Sequence, residues 1–262
     1  MIMSPSPQPS TAKISALREE ISSLQPQKGL ALPFGVTALD DQLVGMGLDV
    51  AGLHEIAAAT ATLSDDAAAT LFVAGLAARF ARRANQTVLW IVTQFDLYAP
   101  GLEQVGLKPC DLIYAQGHKD REVLALAEDG LKSGVLACVV AEVKAADRSA
   151  TRRLQLAAAD GSTPMLLYRR HRTSGRCPLD MPSSAMTRWR IGTLSSAQLA
   201  VPGVGRGRWA VELVRQRNGN SFFLELEACD DTGRLALPAS TRDRTATPRR
   251  ATEQGRAASH AA

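Results

Sequence analysis

The chain is short of the residues that carry most metal and redox chemistry. Its four cysteines (Cys110, Cys138, Cys177, Cys229) lie far apart, with no Cys-x-x-Cys pair. That spacing excludes a disulfide framework and a zinc ribbon, and it fits a reducing compartment such as the cytoplasm. The four histidines (His54, His118, His171, His260) are equally scattered, so no metal site is expected. No apolar run approaches the roughly 18 residues that span a bilayer. The N-terminus, Met1 to Lys13, lacks the apolar core of a signal peptide, and no membrane association is expected. Nor does any Gly-Lys-Ser/Thr triplet occur along the chain. This removes the lysine that a phosphate-binding loop places on the terminal phosphates of a nucleotide.

What is present is an ordinary globular composition, 45% hydrophobic and 21% charged over 262 residues, enough for one large domain or two small ones. The net charge of +4 conceals an asymmetry. From Arg169 to Arg217 ten arginines face only Asp180 and Glu212, a net +8, and from Ala239 to Ala262 five arginines face Asp243 and Glu253, a net +3. The remainder is therefore acidic, at −7. A basic half on an acidic body points to an acidic partner, nucleic acid or protein, or else to a solvated arginine-rich surface.

Taken in order, residues 1–10 are rich in proline and serine and are expected to be disordered. Residues 11–25 predict a helix. Ile14, Leu17, Ile21 and Leu24 recur at spacings of 3, 4 and 3, a seam too short to stand alone and suited to docking on this domain or on a partner. Apolar strands follow at 53–58, 87–93, 111–115, 134–143 and 163–168, alternating with helices at 66–83, 100–105, 120–132 and 147–160. Asp65 or Asp66 is placed to cap the first of these long helices. The alternation predicts an α/β fold, a mainly parallel sheet with helices on both faces. Residues 169–184 read as a basic loop. Strands at 185–194, 207–217 and 221–228, the last two joined by the turn Asn218-Gly219-Asn220, add an antiparallel extension. Trp189 and Trp209 fall in those strands and are expected in the core. From Pro238 onward the chain has no periodicity, and 239–262 reads as a disordered basic tail.

The stretch Phe34–Leu71 organises the rest: a short amphipathic helix, a glycine-containing connection, a buried strand, a loop and a long helix. Gly35, Leu39, Asp40, Leu43, Gly45, Gly47, Leu48, Gly52, Glu55 and Ile56 match the pattern that enters the core of the RecA family of strand-exchange ATPases, which this chain resembles. A closer resemblance is to the ImuA family, SulA/RecA-like damage-inducible mutagenesis proteins. It is carried by a collinear series that includes Leu53-His54-Glu55-Ile56, Ala141-Glu142-Val143, Thr187-Arg188-Trp189-Arg190, Val201-Pro202-Gly203-Val204-Gly205 and Glu227-Ala228-Cys229-Asp230, and it covers about residues 14–238. The resemblance implies a RecA-like core domain over 30–238. It also implies a non-catalytic accessory role in SOS mutagenesis and translesion synthesis, beside the Y-family-like polymerase homologue ImuB and an error-prone C-family polymerase. RecA and single-stranded DNA are further candidate partners.

The ATPase chemistry of that larger family is expected to be lost. Where its phosphate loop would stand, Ala58, Thr60, Thr62, Ser64 and Asp65 offer no glycine and no lysine, and Asp65 and Asp66 bring negative charge to a triphosphate's place. Gln94 stands at the position of the catalytic glutamate. Ala141 stands at that of the central-strand acid, with Glu142 one residue along. No catalytic residue, cofactor or metal is therefore expected. Arg169, Arg170, Arg172 and Arg176 are candidates for contact with DNA or a partner. Ile14, Leu17, Ile21, Leu24, Arg249 and Arg250 are candidates for contact with a partner. Two other readings compete: a DNA-dependent ATPase of RecA type, which predicts hydrolysis sensitive to Gln94 or Glu142, and a cell-division inhibitor, which predicts filamentation on overexpression.

Overall fold

Three apolar segments are buried at every residue: β3 (Leu53–Ala58), β6 (Cys138–Val143) and β7 (Met165–Arg169). A strand apolar on both faces needs cover on both sides, and so it sits at the middle of a parallel sheet. In the computed structural model of the chain, which describes residues 31–173, 175–196 and 203–238, these strands form the centre of an eight-stranded sheet. Its order is β10-β9-β8-β3-β7-β6-β4-β5, with β4 at Val88–Val92 and β5 at Leu112–Gln116. The strands from β8 (Thr187–Leu194) to β5 run parallel; β9 (Arg208–Gln216) and β10 (Phe222–Glu227) extend the sheet antiparallel. The α/β class with an antiparallel C-terminal extension is thus as expected. The helix expected at 11–25 and the tail 239–262 lie outside the described residues.

Successive residues of each central strand serve opposite cores. Ile56, Trp90, Val140 and Leu166 pack under α2 (Leu63–Ala84), together with an aromatic group of Phe34, Phe72, Trp189 and Trp209. Leu53, Ile91, Val139 and Leu167 pack under α4 (Asp120–Ser133) and α5 (Arg148–Asp160). Two shorter helices, α1 (Thr37–Asp40) and α3 (Ala99–Gln104), connect strands near the α2 face. The helix ends follow local rules. Asp147 caps α5 by accepting from the Ala150 N–H at 2.7 Å, and α4 stops at Gly134, whose φ of 66° is left-handed.

Two local expectations are corrected, and one element is new. Helix α2 begins at Leu63 with Thr62 as its cap, because the carboxylates of Asp65 and Asp66 are committed elsewhere. Strand β6 begins at Cys138 rather than at Gly134, whose left-handed turn still belongs to the end of α4. Ala31–Leu32 (β1) and Leu48–Asp49 (β2) form a separate two-stranded antiparallel sheet that no periodicity announces. Among the described residues no helix is long and apolar enough to cross a membrane.

Candidate functional site

Parallel strands present the carboxyl ends of β3, β4, β6 and β7 together, and the amino end of α2 closes over them. Between them lies a cleft of about 430 Å³, lined among others by Thr62, Asp66, Gln94, Asp96, Glu142 and Arg170. In an open α/β sheet this crevice is where ligands bind.

The loop from Ala58 to Asp65 is tied to itself and to the sheet. Asp65 is buried, and one of its carboxylate oxygens accepts from the Thr60 N–H at 3.1 Å and the Thr60 hydroxyl at 2.6 Å. The other accepts from the N–H of Thr193 on β8 at 2.8 Å and from the Thr193 hydroxyl at 2.7 Å. Burial alone raises this carboxyl's pKa, but the bonds from Thr60 and Thr193 outweigh it and hold the group below its ordinary value. The protein's own carboxylate thus occupies a backbone donor of the loop, the kind of group that would otherwise face an anion. His171 braces the same loop through Nε2, 2.9 Å from the Ala58 carbonyl.

At the floor of the cleft, Arg170 is held by three acids. Its Nε donates to Glu142 at 2.5 Å, Nη1 to Asp66 at 2.9 Å and Nη2 to Asp96 at 3.4 Å. Glu142 also accepts from the Trp90 indole at 2.7 Å, and Asp66 from the Tyr168 hydroxyl. Burial pushes the Glu142 carboxyl above its ordinary value although Arg170 opposes the shift. Glu142 and Ala141 fall on opposite faces of β6: Ala141 packs under α4 and α5, and Glu142 faces the cleft. An acid of the central strand β6 therefore lines the cleft, and Arg170 and Trp90 hold it. Gln94 lines the rim and is exposed.

The four arginines singled out at 169–176 separate into three situations. Arg169 is 1% exposed and donates to Glu55 at 2.7 Å; Arg188 donates to the other oxygen of Glu55 at 2.7 Å. This Arg–Glu–Arg triad spans β7, β3 and β8. Arg169 reaches on to the Ala146 carbonyl at 3.2 Å and Arg188 to the Met181 carbonyl at 2.8 Å. A buried guanidinium so engaged presents nothing to DNA or to a partner, which corrects the expectation for Arg169. Arg170 is committed to the cleft. Arg172 and Arg176 are exposed and have no ion-pair partner among the described residues. The candidate contacts Ile14, Leu17, Ile21, Leu24, Arg249 and Arg250 lie outside the described residues.

Sequence reasoning missed the partnership of Arg170 and the triad of Glu55. The one available signal was the glutamate inside the apolar run Leu53–Ala58, since a carboxylate buried on a central strand requires a cation beside it.

No family model matches the chain. Among solved structures, SulA from Pseudomonas aeruginosa aligns at a TM-score of 0.39 and 20% identity, covering 45% of this chain and 97% of that one. Two proteins named Protein ImuA, from Caulobacter vibrioides strains NA1000 / CB15N and ATCC 19089 / CIP 103742 / CB 15, are each 36% identical over 193 residues, 72% of this chain and 79% of theirs. At that identity and coverage, the chain belongs to the ImuA family.

Proposed function

We propose that this chain is a non-catalytic accessory protein of DNA-damage-induced (SOS) mutagenesis. It serves translesion synthesis in the cytoplasm by binding a Y-family-like polymerase homologue, ImuB in this family, and through it an error-prone C-family polymerase. Membership of the ImuA family supports the process. The observation that supports the non-catalytic part is the seating of Arg170 among Glu142, Asp66 and Asp96. A triphosphate does not fit these residues. The Thr60 N–H is already satisfied by Asp65, the cleft's one deeply placed cation is neutralised by three acids, and the acid that would organise a metal is held by Trp90 and Arg170. The RecA-like core over 30–238 carries part of the binding surface. Arg172 and Arg176 are its exposed candidates for contact with the polymerase homologue, RecA or single-stranded DNA. The partner-binding roles of Ile14, Leu17, Ile21, Leu24, Arg249 and Arg250 belong to the same proposal.

The test uses full-length protein in two measurements. Titration calorimetry with ATP and Mg²⁺, with and without single-stranded DNA, is expected to give no binding heat, and a phosphate-release assay no turnover. Capture from DNA-damaged cells is expected to retain the polymerase homologue and to lose it in versions lacking 1–25, lacking 239–262 or carrying Arg172→Glu with Arg176→Glu. Turnover that disappears in Glu142→Gln would overturn the reading in favour of the DNA-dependent ATPase. Retention of the partner by every version would overturn the assignment of its contacts.

A further inference from the structure

Helix α2 has 22 residues, roughly 33 Å at 1.5 Å per residue, so its carboxyl end lies far from the cleft of Arg170. A second cleft, of about 500 Å³, opens there. Arg79, Arg82 and Arg83, at spacings of three and four, share one face of the helix's last turns, and Arg234 reaches the same cleft from the C-terminal segment. Among the described residues the rest of the lining is Thr232, β1 and Pro33, with no acidic residue and no aromatic.

Packing explains how Arg234 arrives there. The turn after β10 crosses α2 at Gly75, where a Cβ would lie 2.6 Å from the Cys229 Sγ, and it does so through Gly233, whose φ of 67° is left-handed. Asp230 then fixes the turn by accepting from the Thr232 N–H at 2.8 Å, the Thr232 hydroxyl at 2.6 Å and the Arg234 N–H at 2.9 Å. Arg206 holds the Arg234 carbonyl at 2.9 Å. Two of the cleft's guanidinium groups are also preorganised: Arg79 donates to the Pro33 carbonyl, and Arg83 to that of Ala31 at 2.7 Å. These bonds orient the groups without neutralising them. Arg79 Nη1 is buried with no partner, and among the described residues none of the four arginines has an ion-pair partner. Burial first, joined by the like charges of Arg234 and Arg82, pushes Arg79 below its ordinary value against the opposing pull of Cys229 and Asp40.

We infer that this cleft seats the phosphodiester backbone of a nucleic acid, without reading its sequence. Guanidinium forks match phosphate geometry, and an array held in place by backbone carbonyls loses little entropy in binding it. An acidic protein segment is the other polyanion such a cleft could take. Two observations favour nucleic acid. Among the described residues the lining offers no aromatic, and its large aliphatic side chain, Leu32, is buried in the core, so it lacks the exposed anchor that carries protein interfaces. The chain also continues from Pro238, four residues past Arg234, into residues 239–262, whose five arginines against Asp243 and Glu253 are a composition suited to a polymer of evenly spaced phosphates.

Fluorescence anisotropy with a labelled single-stranded oligonucleotide, on full-length protein across a salt series, tests this. Arg82 and Arg234 are both exposed, so Arg82→Glu with Arg234→Glu leaves the fold's core untouched. The double variant is expected to bind about tenfold or more weakly, and its plot of log affinity against log salt to flatten by about 1.4, about 0.7 for each phosphate that is no longer neutralised. The lysine pair Arg82→Lys with Arg234→Lys is expected to keep most of the binding. Arg121→Glu with Arg152→Glu, which makes the same change of net charge on α4 and α5, is expected to leave it unchanged. An unaltered affinity and salt slope in the first variant, or equal losses in the first and the α4/α5 variant, overturns the proposal. So does a wild-type protein that binds polyglutamate in preference to the oligonucleotide, since the cleft is then a seat for an acidic protein segment.

Discussion

The two ends of α2 hold arginines in opposite electrostatic conditions. At the amino end Arg170 meets Glu142, Asp66 and Asp96, and the charges cancel inside the molecule. At the carboxyl end Arg79, Arg82, Arg83 and Arg234 share a cleft whose lining has no acid. A basic stretch of sequence is therefore not the same thing as a basic surface. Of the ten arginines between 169 and 217, six are in ion pairs among the described residues: Arg169, Arg170, Arg188, Arg190, Arg206 and Arg208. Most of their partners (Glu55, Asp66, Asp96, Glu142, Glu225, Glu227) lie outside that stretch, in the acidic remainder of the chain. The arginines of α2 come from the acidic part of the sequence and yet form a cluster with no ion-pair partner among the described residues.

If neutralised arginines are structural, removing their partners must be expensive. The largest effect is expected for Glu55→Ala, which leaves Arg169 and Arg188 buried without a counter-charge. Loss of about 3–5 kcal/mol is expected from breaking a buried pair, read as the shift in urea midpoint. Arg170→Met comes next, at about 3 kcal/mol, because the buried Glu142 loses its cation. The penalty has a pH signature. Burial already holds the folded-state pKa of Glu142 above its unfolded value, and the variant raises it further. A carboxyl raised on folding costs nothing below its unfolded pKa, about 4.3, and costs progressively more as pH rises from there through the folded value. The gap between wild type and Arg170→Met should therefore widen from pH 4 to pH 8. A gap independent of pH would mean that Arg170 acts by packing and not by charge.

Asp65→Asn is expected to cost about 1–3 kcal/mol at pH 6, through the bonds to Thr60 and Thr193. Its sign with pH is the reverse. The folded-state pKa of Asp65 lies below the ordinary 3.8, so its contribution is complete above that value and is lost as pH falls through the folded one. The difference between wild type and variant should narrow toward pH 2 in a series of urea midpoints.

Most of the fold is legible in the sequence because its signals are local. The run Thr87–Thr93 has the unbroken apolar character of a strand covered on both faces, and Asn218-Gly219 marks its hairpin with Asn218 at φ 61°. The sites are less legible because their partners are remote. Glu55 meets Arg169 and Arg188 across 114 and 133 positions, and Arg170 meets Asp66 across 104. Register decides the rest. A step of one residue exchanges Ala141 for Glu142 at the cleft, a distinction that a count along the sequence leaves open and β6 pairing with β4 and β7 resolves. The cap of α2 is ambiguous in the sequence because Thr62, Asp65 and Asp66 are all good capping residues, and only the positions of Thr193 and Tyr168 decide which carboxylates are taken.

The smallest expected effect is also the sharpest test of the contrast. If the arginines at the carboxyl end of α2 are held for a ligand and not for the fold, Arg82→Ala and Arg234→Ala should each leave stability within about 0.5 kcal/mol of wild type, the range of surface substitutions that break no buried bond. Joined in one chain, they should stabilise slightly at low salt, because two like charges beside Arg79 are removed, and that gain should vanish as salt screens it. The main-chain bonds that fix Arg234's turn, from Asp230 and Arg206, are retained in these variants. Urea titrations of the double variant at low and high salt measure both quantities. A loss of several kcal/mol, comparable to Arg170→Met, would place these arginines in the same structural class as the neutralised ones and erase the difference between the two ends of the helix.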